Sequence, residues 1–129
     1  MAKVASFADV EDLLTTILAS VGTPVASRLP DELPDEFVRV IRTGGAGRVS
    51  RISELATVVV EAFAQTEADA LALLRACAEA LAEAEGTKVA GVLLKTVTEL
   101  SGPGNLPTPS VPRSRYTQTF DLHLKGTTP

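Results

Sequence analysis

The sequence predicts an α+β fold: a mixed, mainly antiparallel sheet of four to five strands with two helices packed on one face. Two segments show the three- and four-residue apolar spacing of amphipathic helices, and others show strand-like composition. Their order is helix, three strands, helix, two strands, and strands joined mainly by hairpins belong to this class. The last strand alternates apolar and polar residues, so the far sheet face is expected to meet water or another subunit.

Length and composition limit the classes of protein to which this chain can belong. Its 129 residues predict one domain over 1–129, and an apolar content of 45% excludes wholesale disorder. The formal net charge of −4 argues against a general nucleic-acid binder. A single cysteine, Cys77, allows no intrachain disulfide and favours a reducing cytoplasm. No segment approaches the roughly 20 apolar residues of a membrane span, and residues 1–4 lack the pattern of a secretory signal.

The first element is predicted as a helix over about residues 6–21. Ser6 is expected to cap its start, and Gly22 and Pro24 to end it. The residues of its buried stripe fall at spacings of three and four: Phe7, Val10, Leu13, Leu14, Ile17, Leu18 and Val21.

Three strands are predicted next. Residues 24–29 form a short edge strand, and the β-branched residues 37–43 form a second strand. Residues 44–47 are mostly glycine and are expected to form a flexible turn. Residues 55–64 are the strongest strand, central in the sheet, with one wholly apolar face for a helix: Ala56, Val58, Val60, Ala62 and Ala64.

A second helix is predicted over residues 66–85, followed by two strands. Thr66 and Asp69 form a capping pair at its start, and Gly86 ends it. Its expected buried stripe is Leu71, Leu74, Cys77, Ala78 and Leu81. Residues 89–100 read as a strand with an irregularity near Gly91, and residues 115–125 as a cleanly alternating strand.

A proline- and glycine-rich segment at about residues 101–112 joins the last two strands, and we call it the arm. Four of the chain's eight prolines lie in it, so it is expected to be extended and stiff. It is too long for a hairpin turn, and long loops in compact domains usually have a function or are disordered. We expect it to reach onto a neighbouring subunit through Pro103, Asn105, Leu106 and Pro107.

Two charged clusters are candidate subunit contacts. The first is basic and straddles the glycine segment: Arg39, Arg42, Arg48 and Arg51. The second lies in a proline-bounded loop, which we call the acidic loop: Asp31, Glu32, Asp35 and Glu36. Ion pairing between the two on adjacent subunits is one hypothesis, and plain solvation of both is the simpler one. Direct phosphate contact by the arginines is a third.

The search for catalytic chemistry predicts no enzyme and no catalytic, cofactor or metal site. Residues 44–48 carry no GK[ST] and open no helix, so neither phosphate-binding motif is present. His123 has only Asp121 at ligand spacing, and a metal site needs more ligands. Cys77 lies on a buried helix stripe, where a core role is expected.

Several stretches, in this order and spacing, resemble tail terminator proteins of long-tailed actinobacteriophages. One stretch is the strand and turn Phe-Val-Arg-Val-Ile-Arg-Thr-Gly-Gly at 37–45. A second is the strand Val-Val-Val-Glu-Ala-Phe-Ala at 58–64, which is followed by an acidic, alanine-rich helix from Thr66. The closing stretch has Glu-Leu-Ser-Gly-Pro at 99–103, Asn-Leu-Pro at 105–107, and Arg-Tyr-Thr-Gln-Thr-Phe at 115–120 with the final strand to Gly126. The likeness spans about residues 7–126, with only a general likeness in the opening helix.

The resemblance implies a structural virion protein at the neck end of a phage tail, made in the host cytoplasm. Such proteins form a hexameric ring on the last ring of the tail tube, end its polymerisation and join the head connector. DNA would pass through the lumen without specific binding, and no cofactor or membrane partner is implied. Other neck proteins for head closure or tail completion share this size and layout. A small ligand-binding α+β domain that forms dimers is a third reading.

Overall fold

The computed structural model describes residues 4–127. The first three residues of the segment considered as a secretory signal lie outside that range. The two helices are Val10–Leu18 (α1), extended by a 3₁₀ turn at Ala19–Val21, and Glu67–Ala84 (α2). The strands are Val25–Ala26 (β1), Phe37–Arg48 (β2), Ser53–Ala64 (β3), Lys88–Val89 (β4), Val92–Glu99 (β5), Gly104–Asn105 (β6) and Ser114–Lys125 (β7).

The strands form one sheet in the order β1-β2-β3-β7-β5-β4, with β6 also paired to β7. All pairings are antiparallel except that of β1 with β2. The mixed α+β class is therefore right, but the expected four to five strands understate the seven strands of the described residues. The edge strand predicted over residues 24–29 is present as the two-residue β1 at one edge of the sheet. The two strands that were not predicted separately, β4 and β6, have two residues each, which is too short for a periodic pattern to reveal.

The three long strands β2, β3 and β7 make the rigid centre of the sheet. Each has twelve residues, and every residue of β3 pairs with one of β7, from Ser53 opposite Lys125 to Ala64 opposite Ser114. The central position predicted for residues 55–64 is confirmed. Its apolar face is fully buried against the helices, as the alternation predicts.

Helix α1 begins later than its apolar pattern suggests. Asp9, not Ser6, is its N-cap and accepts hydrogen bonds from the amides of Glu11 and Asp12. Ser6 instead forms a β-bridge with Thr127, so the residues before the helix are extended. A carboxylate at this position also favours the helix dipole, which the hydroxyl of Ser6 would not do.

Helix α2 is confirmed, with Thr66 accepting from the Asp69 amide at 3.2 Å. Its buried stripe differs from the predicted one by including Ala70 and Leu73, while Leu71 and Ala78 are half-buried. The helix is alanine-rich on most sides, so composition alone did not fix which side faces the sheet.

The glycine segment is not a flexible turn, which corrects the sequence prediction. Strand β2 continues through it, with register shifts between Arg42 and Gly44 and between Gly44 and Gly47. Gly45 has φ 97°, and a Cβ atom there would lie 2.5 Å from the Thr57 amide nitrogen. The glycines therefore serve as β-bulges in a paired strand. The chain reverses later, at residues 49–52.

The strand predicted over residues 89–100 is a tight hairpin followed by one strand. Ala90 and Gly91 have φ of 49° and 81°, as a two-residue turn between β4 and β5 requires. The irregularity expected near Gly91 is therefore a complete chain reversal.

The face of the sheet opposite the helices, here called the helix-free face, is not uniformly polar. At one end the stacked rings of Phe37 and Phe63 have centroids 4.6 Å apart and are buried. Val111 from the arm and Leu33 from the acidic loop pack on them. This second small core fixes both segments to their own sheet.

Candidate assembly surfaces

A buried carboxylate links two strands on the helix-free face. Glu61 on β3 is 1% exposed and binds the guanidinium groups of Arg39 on β2 and Arg115 on β7. The Arg115 Nε donates to Glu61 Oε2 at 2.7 Å. Of these three, only Arg39 was predicted from the sequence as a contact residue. The available signal was a glutamate within the otherwise apolar residues 58–64.

The pKa of Glu61 lies below its ordinary value. Burial alone would raise the pKa, but the hydrogen bonds and charges of Arg39 and Arg115 outweigh it. The same contact raises the pKa of Arg39, against the opposing effect of its own partial burial. One carboxylate thus serves two guanidinium groups, and the cluster carries a net positive charge at the helix-free face.

Arg42 lies on the other face of the sheet. Its guanidinium binds Glu54, with the closest nitrogen and oxygen 3.2 Å apart, and its backbone amide donates to Glu11 Oε2 at 3.0 Å. Glu54 is 6% exposed, so this pair is partly shielded from water. Because Arg39 and Arg42 occupy opposite faces, the four arginines do not form one continuous basic surface.

Arg48 holds the N-terminal segment against the β2–β3 turn. Its guanidinium lies over the Phe7 ring, 4.6 Å from the centroid, and donates to the carbonyls of Ala5 at 2.9 Å and Arg51 at 3.1 Å. The Ala5 amide in turn donates to the Arg51 carbonyl. These contacts give Arg48 a role inside the chain.

The acidic loop is exposed at all four of its predicted contact residues: Asp31, Glu32, Asp35 and Glu36. Asp35 accepts a hydrogen bond from the Gln65 side chain at 3.0 Å. Arg113 donates to the carbonyls of Leu33 and Pro34 at 3.0 and 3.1 Å. The loop backbone is therefore fastened to Arg113, the residue directly after the arm, while its carboxylates are exposed.

The arm lies along its own β7 for part of its length. After β5 leaves β7, residues Gly104–Asn105 take over the same edge as β6. The Leu106 amide donates to the Arg115 carbonyl, and the Leu106 carbonyl accepts from the Arg115 guanidinium at 2.8 Å. Leu106 is nonetheless 55% exposed, and Asn105 and Pro107 are exposed beside it. Pro103 is half-buried. Contact with a neighbouring subunit stays a prediction.

The described residues show little that suits catalysis. Residues 4–127 contain no group of three His, Cys, Asp or Glu side chains placed to hold a metal ion. Burial raises the pKa of the Cys77 thiol to about 12, which disfavours the reactive thiolate form. His123 is half-buried, and its Nε2 has no hydrogen-bond partner within residues 4–127. A surface hollow of about 490 Å³ is lined by polar groups, including Asp35, Glu36 and Asp69.

No described helix is both long and apolar enough to cross a bilayer. The arginines Arg39, Arg42, Arg48 and Arg113 join strands and loops of the same chain.

Comparison with known proteins gives the family. The family model for phage tail termination proteins matches residues 6–128, and the chain belongs to that family. It is thus a structural component of a phage-type virion tail. None of the curated proteins matches the chain.

The fold has a counterpart among solved structures. One chain of the virion of a native gene transfer agent particle superposes with a TM-score of 0.61 and 17% sequence identity. The match covers 85% of this chain and 84% of the other. At this identity the likeness supports the fold alone.

Proposed function

We propose that this protein closes into a ring at the head-proximal end of the tail tube, ends tube polymerisation and joins the head connector. The observation that carries the proposal is the family match over residues 6–128. The proposed ring has six subunits, and its proposed partners are the tail tube protein and a connector or stopper protein. The proposed source is a long-tailed actinobacteriophage.

A closed ring uses head-to-tail contacts, which require two different surfaces on each subunit. The sheet provides two dissimilar edges, with β1 and β2 at one side and β5, β4 and the arm at the other. The exposed carboxylates of the acidic loop and the exposed part of the arm are available for such contacts. Surfaces of this kind favour assembly over small-molecule binding.

Ion pairing between the arginines of one subunit and the acidic loop of the next is part of the proposal, although these arginines already have partners within their own chain. Arg39 and Arg42 are 26% and 31% exposed at their side chains, so each can face a second carboxylate besides its internal one. Arg39 is favoured, because its cluster holds two guanidinium groups for one carboxylate. The acidic loop of the adjacent subunit would supply the second negative charge.

DNA would pass through the lumen of the ring without being held. A net charge of −4 per chain suits this passage, since like charge disfavours adhesion of phosphates. The same charge would also repel free nucleic acid before assembly.

Electron microscopy of the purified protein mixed with purified tail tubes tests the proposal. We expect one end of each tube to be capped, and tube subunits to stop adding there. Binding to the isolated connector with no capping of tubes would instead support a head-closure or tail-completion role. Absence of binding to either partner would overturn the proposal.

The charged contact has its own test. Asp31→Lys combined with Glu32→Lys changes two exposed residues that make no ion pair within residues 4–127. We expect a lower fraction of closed rings by native mass spectrometry, because the change removes the partner of Arg39. Glu83→Lys on the exposed side of α2 is the matched control. Equal ring formation by all three proteins would refute this contact.

A further inference from the structure

A groove of about 270 Å³ lies between helix α2 and the arm, at the β5 and β6 side of the sheet. Arg75 and Glu79 line it from the helix, and Glu99 and Pro103 from the end of β5 and the arm. Gln118 of β7 also lines it. Of these residues, only Pro103 belongs to the surfaces described above.

The groove contains a buried polar atom without a partner. Gln118 is 2% exposed, and its Nε2 donates to the Ser101 carbonyl at 2.9 Å, which fixes the orientation of the amide. Its Oε1 has no hydrogen-bond partner among the described residues. Buried amide oxygens are nearly always paired, because an unpaired one costs the free energy of its lost hydration. A donor for this oxygen would therefore come from outside the described residues.

The charge around that atom indicates which donor fits. Glu79 and Glu99 provide two carboxylates against the single guanidinium of Arg75, and no ion pair joins them within residues 4–127. Two carboxylates and an amide oxygen are all acceptors. A lysine or arginine side chain offers donors only, so it matches the groove in both charge and hydrogen bonding.

The opposite edge of the sheet carries such a side chain. Arg28 follows β1, is exposed, and makes no ion pair or hydrogen bond within the described residues. From β1 the register runs through Arg39 and Glu61 to Thr117, which directly precedes Gln118. Ala26, two residues before Arg28, therefore lies on the same row of paired residues as Thr117, the neighbour of Gln118.

The flanking residues are also complementary. Leu29, next to Arg28, is 37% exposed, and Leu100, next to Glu99, is 51% exposed. A basic side chain beside an exposed leucine on one edge therefore corresponds to an acidic groove beside an exposed leucine on the other. Apolar contact next to a desolvated charge pair is typical of the centre of an interface.

We propose that Arg28 of one subunit inserts into the groove of the next, where it binds Gln118 Oε1, Glu79 and Glu99. The inference rests on the proposed ring, since only a head-to-tail arrangement brings the two edges of different copies together. It names a contact that repeats once per subunit around the ring.

A charge-swap cycle, read by native mass spectrometry, tests the contact. Arg28→Glu alone and Glu99→Arg alone are each expected to lower the closed-ring fraction at least tenfold. The double variant is expected to recover most of that loss, because the two charges are exchanged. Lys125→Glu and Glu83→Arg are the matched controls on exposed positions outside the groove, and circular dichroism checks that every variant folds.

The buried amide has a separate variant. Gln118→Leu removes the unpaired oxygen and is expected to lower the closed-ring fraction severalfold while the domain stays folded. Ring formation at the wild-type level would show that the oxygen has no intersubunit donor, and would overturn the inference. So would a double charge swap that fails to recover.

Failure of the contact and failure of the ring give different results. If the wild-type chain forms rings and the swap does not recover, this contact is wrong and the ring stands. If the reversals leave rings intact but abolish capping of tubes, the occupant comes from the tube and the inference is again wrong. If the wild-type chain forms no ring even with tubes, both proposals fail.

Discussion

Arg39 on β2 and Glu61 on β3 stand opposite each other in the strand register, and their side chains bind on the helix-free face. Arg115 reaches the same carboxylate from β7. Glu61→Ala would leave two arginines without their shared partner in a partly shielded place. We expect it to lower the free energy of unfolding by about 2–4 kcal/mol, measured by urea titration. Arg39→Ala is the comparison, with a smaller loss expected because Arg115 still pairs with Glu61. A change below about 0.5 kcal/mol for Glu61→Ala would contradict this account.

The same carboxylate predicts a pH dependence of stability. The pKa of Glu61 is lowered in the folded state, so its contribution is complete above the unfolded value of about 4.3. It is lost as the pH falls through the lower folded-state pKa. Glu61→Gln should therefore show a flatter decline of unfolding free energy below about pH 4.3 than the wild type. Parallel curves for the two proteins would show that Glu61 does not contribute.

We expect alanine substitutions at two glycines of the bulged segment, Gly45 and Gly47, to lower the stability of the fold by different amounts. Gly45→Ala places a methyl group 2.5 Å from the Thr57 nitrogen and 2.8 Å from the Leu55 carbonyl oxygen. Because backbone atoms cannot move aside, a loss of about 3 kcal/mol or more is expected. Gly47→Ala has open space around the new Cβ and only the cost of its positive φ, about 1–2 kcal/mol. Thermal unfolding of the two variants measures the difference, and equal losses would argue against a close approach at Gly45.

Arg113, directly after the arm, is hydrogen-bonded to the backbone of the acidic loop, so we expect the two segments to depend on each other. Arg113→Ala removes the hydrogen bonds to the Leu33 and Pro34 carbonyls, and we expect a loss of about 1–2 kcal/mol in unfolding free energy. Limited proteolysis should then cut both segments faster, since each is held partly through the other. Cleavage confined to the arm would show that the loop is held independently.

The buried thiol predicts a clear chemical readout of folding. With a pKa raised to about 12, Cys77 should not react with an aromatic disulfide reagent at pH 8 in the native protein. It should react fully once denaturant unfolds the chain. Val58→Ala, which opens space in the same core, is expected to raise the native-state rate, and rapid labelling of the wild type would place the thiol nearer the surface.

Elements in which apolar residues recur regularly over many positions were predicted from the sequence. Elements defined by backbone geometry were missed. The buried face of β3 and the Thr66 cap were found because side-chain spacing and capping chemistry are local. The bulges at Gly44 and Gly47 were read as a turn, since glycine permits both and only the partner strand decides. The two-residue strand at Gly104–Asn105 has too few side chains to show any pattern.

The candidate site was harder to predict than the fold. Arg39 and the acidic loop were noticed as charge clusters, but Glu61, Arg115 and Gln118 depend on strand register. Register brings together residues that are 54 apart, such as Arg115 and Glu61, and no local pattern contains that information. The orientation of the Gln118 amide depends on the Ser101 carbonyl, which is 17 residues away in the chain.

The uninterrupted pairing of β3 with β7 has a mechanical consequence. Twelve antiparallel residue pairs extend over about 40 Å of strand. A pull directed along these strands loads all the cross-strand hydrogen bonds at once, in shear, whereas a pull from one end of a hairpin would open them one after another. Under a load along these strands, the centre of the sheet would therefore be the last part of the subunit to yield.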